Sequence, residues 1–444
     1  MTKSRFLNFL GSQEAKQLFL PLYGAAKIDS ACQRYRRLVE KFSDADGALR
    51  VFSVPGRTEL CGNHTDHNRG KVLAASIQLD VIAAVTIRTD NQVFLSSAGF
   101  PDVCMDISDL SMHENEKGKV EALVRGIAAE FAVKTREAGQ GALIKGFNAN
   151  IDSLVMIGSG LSSSAAFEVL IAKIFDNLFC GGKRSALELA QIGQKAENIY
   201  FGKPCGLMDQ IACATGGAVA IDFKDSQDPI VKRIGFDPES LGYALYILDT
   251  KGSHADLTAD YAAIPIEMKK VAAFFGKDVL READEKIFFS HISDLRKAAG
   301  DRAVLRAMHF FNENQRVNAA QEALEALNAN PANHLAMSVF LDQVNQSGNS
   351  SWQLLQNIYS VKNINAQDIS IALAITKNFL SAGPARKDRH TGACRVHGGG
   401  FAGTIQVYLP LERLEEYRTL MEGIFGEGAL TVLKVRQAGA VELK

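Results

Sequence analysis

The chain has 444 residues, with 49 Lys and Arg against 50 Asp and Glu, a formal net charge of −1. That balance argues against a basic nucleic-acid binder and against a strongly acidic tail, and an apolar content of 47% lets a chain of this length bury a sizeable core. Seven cysteines, an odd number without a CxxC pair, argue against a disulfide framework or structural zinc and fit a reducing cytoplasm.

The opening segment, MTKSRFLNFLGSQEAK, has no long apolar stretch and is not read as a secretory signal, and no apolar run is long enough for a membrane span. Residues 13–43 are expected to be helical. Residues 50–54 read as a strand stopped at Pro55-Gly56, and 71–88 as strand, turn, strand. A helix is expected over 118–136 and a strand near 142–156. A Gly/Ser-rich loop then opens an apolar helix over 163–178. Ser185-x-x-Glu188 is a capping box that starts a helix running to about 201. A short helix near 208–214 precedes strands at 217–222 and 243–249. The polar stretch 226–240, with Pro229 and Pro238, is the expected boundary between domains 1–235 and 236–444. Beyond it the chain is helix-rich from 256 to 382 and Gly-rich from 392 to 403. It ends as strand 404–409, helix 411–425 and strand 429–435, a ferredoxin-like α+β pattern. No internal repeat or low-complexity tract is visible.

Four clusters carry chemistry. Gly158-Ser159-Gly160-Leu161-Ser162-Ser163-Ser164 opens a helix. Glycines let backbone N–H groups approach an anion, the helix N-terminus adds free donors, and serines offer hydroxyls and a magnesium ligand. Phosphate is the natural guest, although a serine-capped turn would leave the same pattern. No Gly-Lys-Ser/Thr follows, so this is not a Walker loop. Asp209, after Gly206, opens a short helix whose dipole keeps a carboxylate ionised, so it suits either a proton acceptor or a plain cap. Glu197 lies on a helix face shared with Ala186, Ala190 and Gly193, where another backbone can come close. It suits a hard cation or a solvated position. Arg57, Asn63, His64 and Asp66 form a hydrogen-bonding set matched to a polyol. His64-x-x-His67 has helical metal-site spacing, but Gly and Asn make this a loop, which argues against a metal there. His397-Gly398-Gly399-Gly400 precedes a strand and allows close packing against another loop.

Together these segments resemble the GHMP kinases and, within them, the galactokinases. The sugar signature of that family resembles Pro55–Gly70, its phosphate loop Met156–Ala165, its Cys-Gly-Ile-Met-Asp-Gln segment Cys205–Gln210, and its last Gly-rich motif Cys394–Gly403, so the resemblance spans about residues 35–435. It implies an α+β, two-domain fold with a mixed-sheet N-terminal domain, a ferredoxin-like C-terminal domain and the active site in the cleft between them. It also implies transfer of phosphate from ATP to the anomeric hydroxyl of a galactose-shaped sugar. Asp209 would be the catalytic carboxylate, assisted by Arg57. Gly158 to Ser164 would cradle the phosphates, Ser164 (or Ser163) and Glu197 would hold Mg2+, and Asn63, His64, Asp66, Gly206 and Tyr261 would meet the sugar, with Ser253-His254 keeping the family's spacing to Tyr261. The implied partner is a small sugar, with neither nucleic acid nor membrane, and the chain a monomer or weak homo-oligomer. Among the departures from the family, which include His67 for Tyr, Met156 for Pro and Leu207 for Ile, three bear on ligands. Asn63 replaces a Glu, which leaves galacturonate, N-acetylgalactosamine and L-arabinose as alternative substrates. His397 replaces a Thr near the ATP phosphates. Val120 replaces a Trp often found near adenine, the chain's only Trp being Trp352, so nucleotide preference stays open. Some relatives are non-catalytic sugar sensors with a disturbed serine run. Here Ser162 to Ala166 is uninterrupted.

Overall fold

The computed structural model describes residues 1–43, 47–137, 144–252, 257–382 and 390–443. Its strands are β1 (Leu49–Cys61), β2 (Lys71–Ile87), β3 (Gln92–Ser97), β4 (Val103–Asp106), β5 (Phe147–Ser153), β6 (Ala218–Asp222), β7 (Ile230–Ile234), β8 (Tyr243–Asp249), β9 (Ala393–Val396), β10 (Thr404–Pro410), β11 (Leu430–Leu433) and β12 (Val441–Glu442). Its helices are α1 (Lys3–Leu10), α2 (Gln13–Tyr23), α3 (Ile28–Glu40), α4 (Val120–Glu137), α5 (Ser163–Phe179), α6 (Ala186–Lys195), α7 (Met208–Thr215), α8 (Thr258–Phe274), α9 (Glu285–Ser290), α10 (Ile292–Ala299), α11 (Asp301–Ala329), α12 (His334–Ser350), α13 (Asp368–Ser381) and α14 (Leu414–Phe425).

An eight-stranded mixed sheet follows the order β12-β1-β2-β5-β3-β4, with β6 beside β2 and β7 beside β6. A four-stranded antiparallel sheet follows the order β11-β8-β10-β9. The ending β10–α14–β11 is the expected βαβ layer. β3, β4, β7, β9 and β12 escaped the sequence reading; β9 is four residues beside a Gly run and β7 lies in the polar 226–240 stretch.

Three expected boundaries are corrected. The helical run 13–43 is broken at Gly24, which adopts φ 76°. The turn expected within 71–88 does not form, and β2 continues through Asp80. Asp80 is fully buried, but Arg34 meets it at 2.5 Å and Arg436 at 3.0 Å, and Tyr23 and Ser53 donate to it. An unpaired carboxylate there would cost several kcal/mol, roughly, so these two arginines make an unbroken strand possible. Finally, β1 does not stop at Pro55-Gly56. It runs on through a bulge between Pro55 and Arg57. Proline, lacking an N–H, is tolerated at a bulge.

That bulge positions the site. A Cβ on Gly56 would lie 2.7 Å from Leu161 O, so only glycine lets the 156–162 loop lie against β1, and Arg57 N donates to Leu161 O at 3.0 Å. The continuous apolar core beneath includes Val54, Leu161, Ala165, Val169, Leu207 and Ile211, which fixes the starts of α5 and α7 side by side.

Candidate active site

Asp209 stands in the first turn of α7, with its side chain 33% exposed. Its Oδ1 accepts from Arg57 at 2.7–2.8 Å, and its Oδ2 accepts from the Ser162 hydroxyl at 2.6 Å. Burial pushes this carboxyl up, but the Arg57 guanidinium, the Ser162 hydroxyl and the Lys203 ammonium outweigh it and hold the carboxyl below its usual range. Arg57 is buried and also donates to Gly160 O, so it ties the carboxylate to the phosphate-type loop. Ser162 precedes α5 in a left-handed conformation, φ 61°, and makes no cap bond to the helix. Its hydroxyl turns to Asp209 instead. An L residue pays about 1 kcal/mol for that backbone.

The rest of the loop divides by exposure. Gly158 and Ser164 are exposed, Gly160, Ser162 and Ser163 are half-buried, and Leu161 is a buried anchor. The Ser159 hydroxyl donates to Met156 O at 2.7 Å and so closes the loop on itself. Gly158 and Gly160 both have positive φ. The second glycine loop packs directly on the first: a Cβ on Gly398 would sit 3.2 Å from Gly160 Cα. His397, read from sequence as a residue beside phosphates, is 2% exposed beneath the loop. Its Nδ1 donates to Ser159 O at 3.2 Å while its Nε2 accepts from Thr58 at 3.0 Å, and burial pushes its pKa well down.

The polyol set is placed in two parts. Asp66 and Gly206 are in contact. A Cβ on Gly206 would lie 1.8 Å from Asp66 Oδ2. Asn63, expected to face the sugar, is instead 1% exposed: its amide donates to Gly398 O at 2.8 Å and to Glu59 at 3.2 Å and accepts from Asn357 at 2.8 Å. His64 Nε2 donates to Gly399 O at 3.0 Å, and burial lowers its pKa to about 3, so it is neutral. Tyr261 donates to Gly400 O at 3.0 Å, and its ring covers Gly399. Three successive carbonyls of the C-terminal glycine loop are thus held by three residues read from sequence as sugar ligands. Ser253 and His254 lie outside the described residues. Val120 begins α4 and is 36% exposed, whereas Trp352 packs against the second sheet's core.

Glu197 sits in a π-helical turn, Ala196–Phe201, that continues α6, and it is 3% exposed. Its Oε1 accepts from the exposed Lys203 ammonium at 3.1 Å, so that oxygen already faces a cation from the solvent side. With the exposed hydroxyl of Ser164 on α5, these are hard oxygen donors that fit Mg2+. Two neighbours were missed from sequence. Glu168, fully buried, lies one helical turn beyond Ser164, and Gln210 follows Asp209. Gln210 Nε2 donates to Glu168 at 2.9 Å and to Glu197 at 3.3 Å. Burial, then the charge of Glu197, push the Glu168 carboxyl up. Gly193 does admit a close neighbour, as its face suggested: a Cβ there would meet Glu168 Cβ at 3.1 Å. Among the described residues, no cluster of three or more His, Cys, Asp and Glu side chains is arranged to hold a metal.

A carboxylate held between a guanidinium and a serine-rich, glycine-opened helix start has the chemistry that a phosphotransferase site needs. Comparisons with known proteins agree. The profile for the GHMP kinases N terminal domain matches residues 122–217, and that for the galactokinase galactose-binding signature matches 37–87. The fold is that of the GHMP kinases. The Lactococcus lactis galactokinase solved with galactose is 24% identical and superposes with a TM-score of 0.74 over 93% of this chain and 100% of its own. The mevalonate kinase of Methanococcus jannaschii is 13% identical with a TM-score of 0.57 over 88% and 99%. A galactokinase from Actinobacillus pleuropneumoniae is 31% identical over 86% of this chain and 91% of its own length, and one from Streptomyces coelicolor is 27% identical over 94% and 97%. The chain belongs to the galactokinase family.

Proposed function

We propose that this chain transfers the γ-phosphate of ATP to the anomeric hydroxyl of galactose. The observation that carries this reading is Asp209, a carboxylate gripped by Arg57 and Ser162 at the mouth of the 156–164 loop. The sugar's C1 O–H bond breaks as its oxygen bonds to the γ-phosphorus, the bond from that phosphorus to the β-phosphate oxygen breaks, and ADP leaves. Asp209 orients the hydroxyl and receives its proton. With its pKa held down, Asp209 is a weak base, which suits a loose phosphoryl-transfer transition state in which positioning outweighs basicity. Arg57 holds the carboxylate in place and offsets charge beside the reacting oxygen. Backbone N–H groups at the start of α5 and the half-buried Ser163 face the phosphates. Ser164 and Glu197 would hold Mg2+, which when bound neutralises charge on the phosphates. Asp66 and the surface opened by Gly206 are the proposed sugar contacts, with His64 and Tyr261 shaping the wall beside them.

The division into domains 1–235 and 236–444 is supported by the sheets: among the described strands, β1 to β7 precede it, β8 to β11 follow it, and β12 returns to pair with β1, next to a bridge between Ile77 and Val435. All seven cysteines are free, which supports a cytoplasmic setting. No helix among the described residues is long and apolar enough to cross a membrane.

A coupled assay for ADP release on a panel of galactose, galacturonate, N-acetylgalactosamine and L-arabinose tests this function. Galactose is expected to give the highest kcat/KM. Faster turnover of another member would reassign the substrate while leaving the chemistry intact, and ADP release with none of them would defeat the kinase reading.

A further inference from the structure

Between α5, α7 and the π-helical turn after α6 lies a buried cluster in which Glu197 meets two residues the reaction scheme does not use, Glu168 and Gln210. Glu168 is 0% exposed, Glu197 3% and Gln210 1%. One amide nitrogen, Gln210 Nε2, donates to a carboxylate oxygen on each side, at 2.9 and 3.3 Å, with a longer 3.7 Å approach to Cys205 Sγ. Lys203 reaches Glu197 on its other oxygen, at 3.1 Å. Glu168 Oε1 and Gln210 Oε1 have no hydrogen-bond partner among the described residues. One amide bridges the two buried carboxyl groups, and removing that donor would free Glu197 to swing toward Lys203 and away from α7.

We propose that Gln210 is a positioning residue for the metal–nucleotide site: its amide fixes the Glu197 carboxylate relative to the helix that carries Asp209. This rests on the reading of Glu197 as a magnesium ligand. Gln210 follows Asp209 in the chain, so one short helix sets both the proton acceptor and the metal ligand. Groups that orient a ligating carboxylate typically contribute about 10- to 100-fold in metal affinity. A purely structural role, satisfying buried Glu168, is the competing explanation, and it makes a different prediction. Replacing both partners of a buried hydrogen bond by apolar groups of similar shape is nearly neutral for stability. The double variant Gln210→Met/Glu168→Met therefore repairs the core without restoring the donor to Glu197.

The test uses Mn2+ as the probe cation and β,γ-imido-ATP as the nucleotide. Its readout is the ratio of nucleotide affinity with Mn2+ to that without metal, measured by calorimetry on the full chain alongside Tm. Gln210→Met is expected to lower this ratio by about tenfold and to lower Tm. The double variant is expected to recover most of the Tm and none of the ratio. If it recovers both, Gln210 serves only Glu168 and the proposal falls. A ratio unchanged in Gln210→Met would overturn it as well. Glu197→Gln separates the two layers of the argument: a lowered ratio supports the site reading whatever Gln210 does, and an unchanged ratio overturns that reading and the proposal together.

Discussion

Asp66 and Gly206 approach so closely that a single added methyl group at Gly206 would lie 1.8 Å from Asp66 Oδ2. The glycine has no special backbone angle, so its role is space. Gly206→Ala is expected to push the Asp66 carboxylate out of position, raising KM for the sugar about tenfold, while KM for ATP moves less than about twofold, since a lost charged hydrogen bond is worth about 1.5–3 kcal/mol. Steady-state kinetics with each substrate varied in turn checks this. Equal effects on both KM values would remove Asp66 from the sugar site.

Ser162 gives a second, separable prediction. Its left-handed backbone favours glycine, while its hydroxyl holds Asp209 at 2.6 Å. Ser162→Gly should leave stability unchanged or raise it by up to about 1 kcal/mol, yet lower kcat by about tenfold because Asp209 loses a charge-assisted bond. Thermal unfolding and turnover, measured on one preparation, should therefore move in opposite directions. An unchanged kcat would mean that Arg57 alone orients the carboxylate.

Asn63 now carries a different expectation from the one its sequence position suggests. A glutamate there would face Gly398 O and Glu59, both acceptors, in a position 1% exposed. Asn63→Glu should destabilise the fold by about 3 kcal/mol or more and loosen the glycine loop. Should the variant instead stay as stable as the parent and gain selectivity for galactose over galacturonate, the side chain faces the sugar.

Acid sensitivity follows from three histidines whose protonation is disfavoured, His309 and His397 buried and His64 half-buried. Burial lowers the pKa of His64, to about 3, and those of His309 and His397. Unfolding returns each to its ordinary value near 6.5, where it takes up a proton that the folded state refuses. Stability contributed by these residues is therefore complete above about pH 6.5 and declines as pH falls below it, by up to about 1.4 kcal/mol per pH unit for each. Denaturant titrations at pH 7.5 and 5.5 should show the loss. His397→Gln should reduce it, and an identical pH dependence in that variant would contradict the account.

Much of the site was legible because its elements are local. The serine run, the capping box at Ser185 and the Asp209 turn are written in neighbouring residues, and the structure brings Asp209, Arg57 and the loop together. What stayed hidden depends on residues far along the chain. β2 reads as a hairpin until Arg34 and Arg436 arrive at Asp80. Asn63, His64 and Tyr261 read as ligands until the carbonyls of Gly398, Gly399 and Gly400 claim their donors. Glu168 looks like an ordinary helical glutamate until α6 and α7 close over it. Only its spacing of four residues from Ser164 hinted otherwise.

The central claim is that the Asp209 carboxylate takes part in the chemistry rather than in holding the nucleotide. The most direct measurement compares the parent chain with Asp209→Asn, reading galactose-dependent ADP release and the affinity for β,γ-imido-ATP. The account predicts a kcat lower by about 100- to 10,000-fold, with nucleotide affinity unchanged within about threefold. A variant that turns over galactose within about tenfold of the parent, its amide in place of the acid, would contradict it.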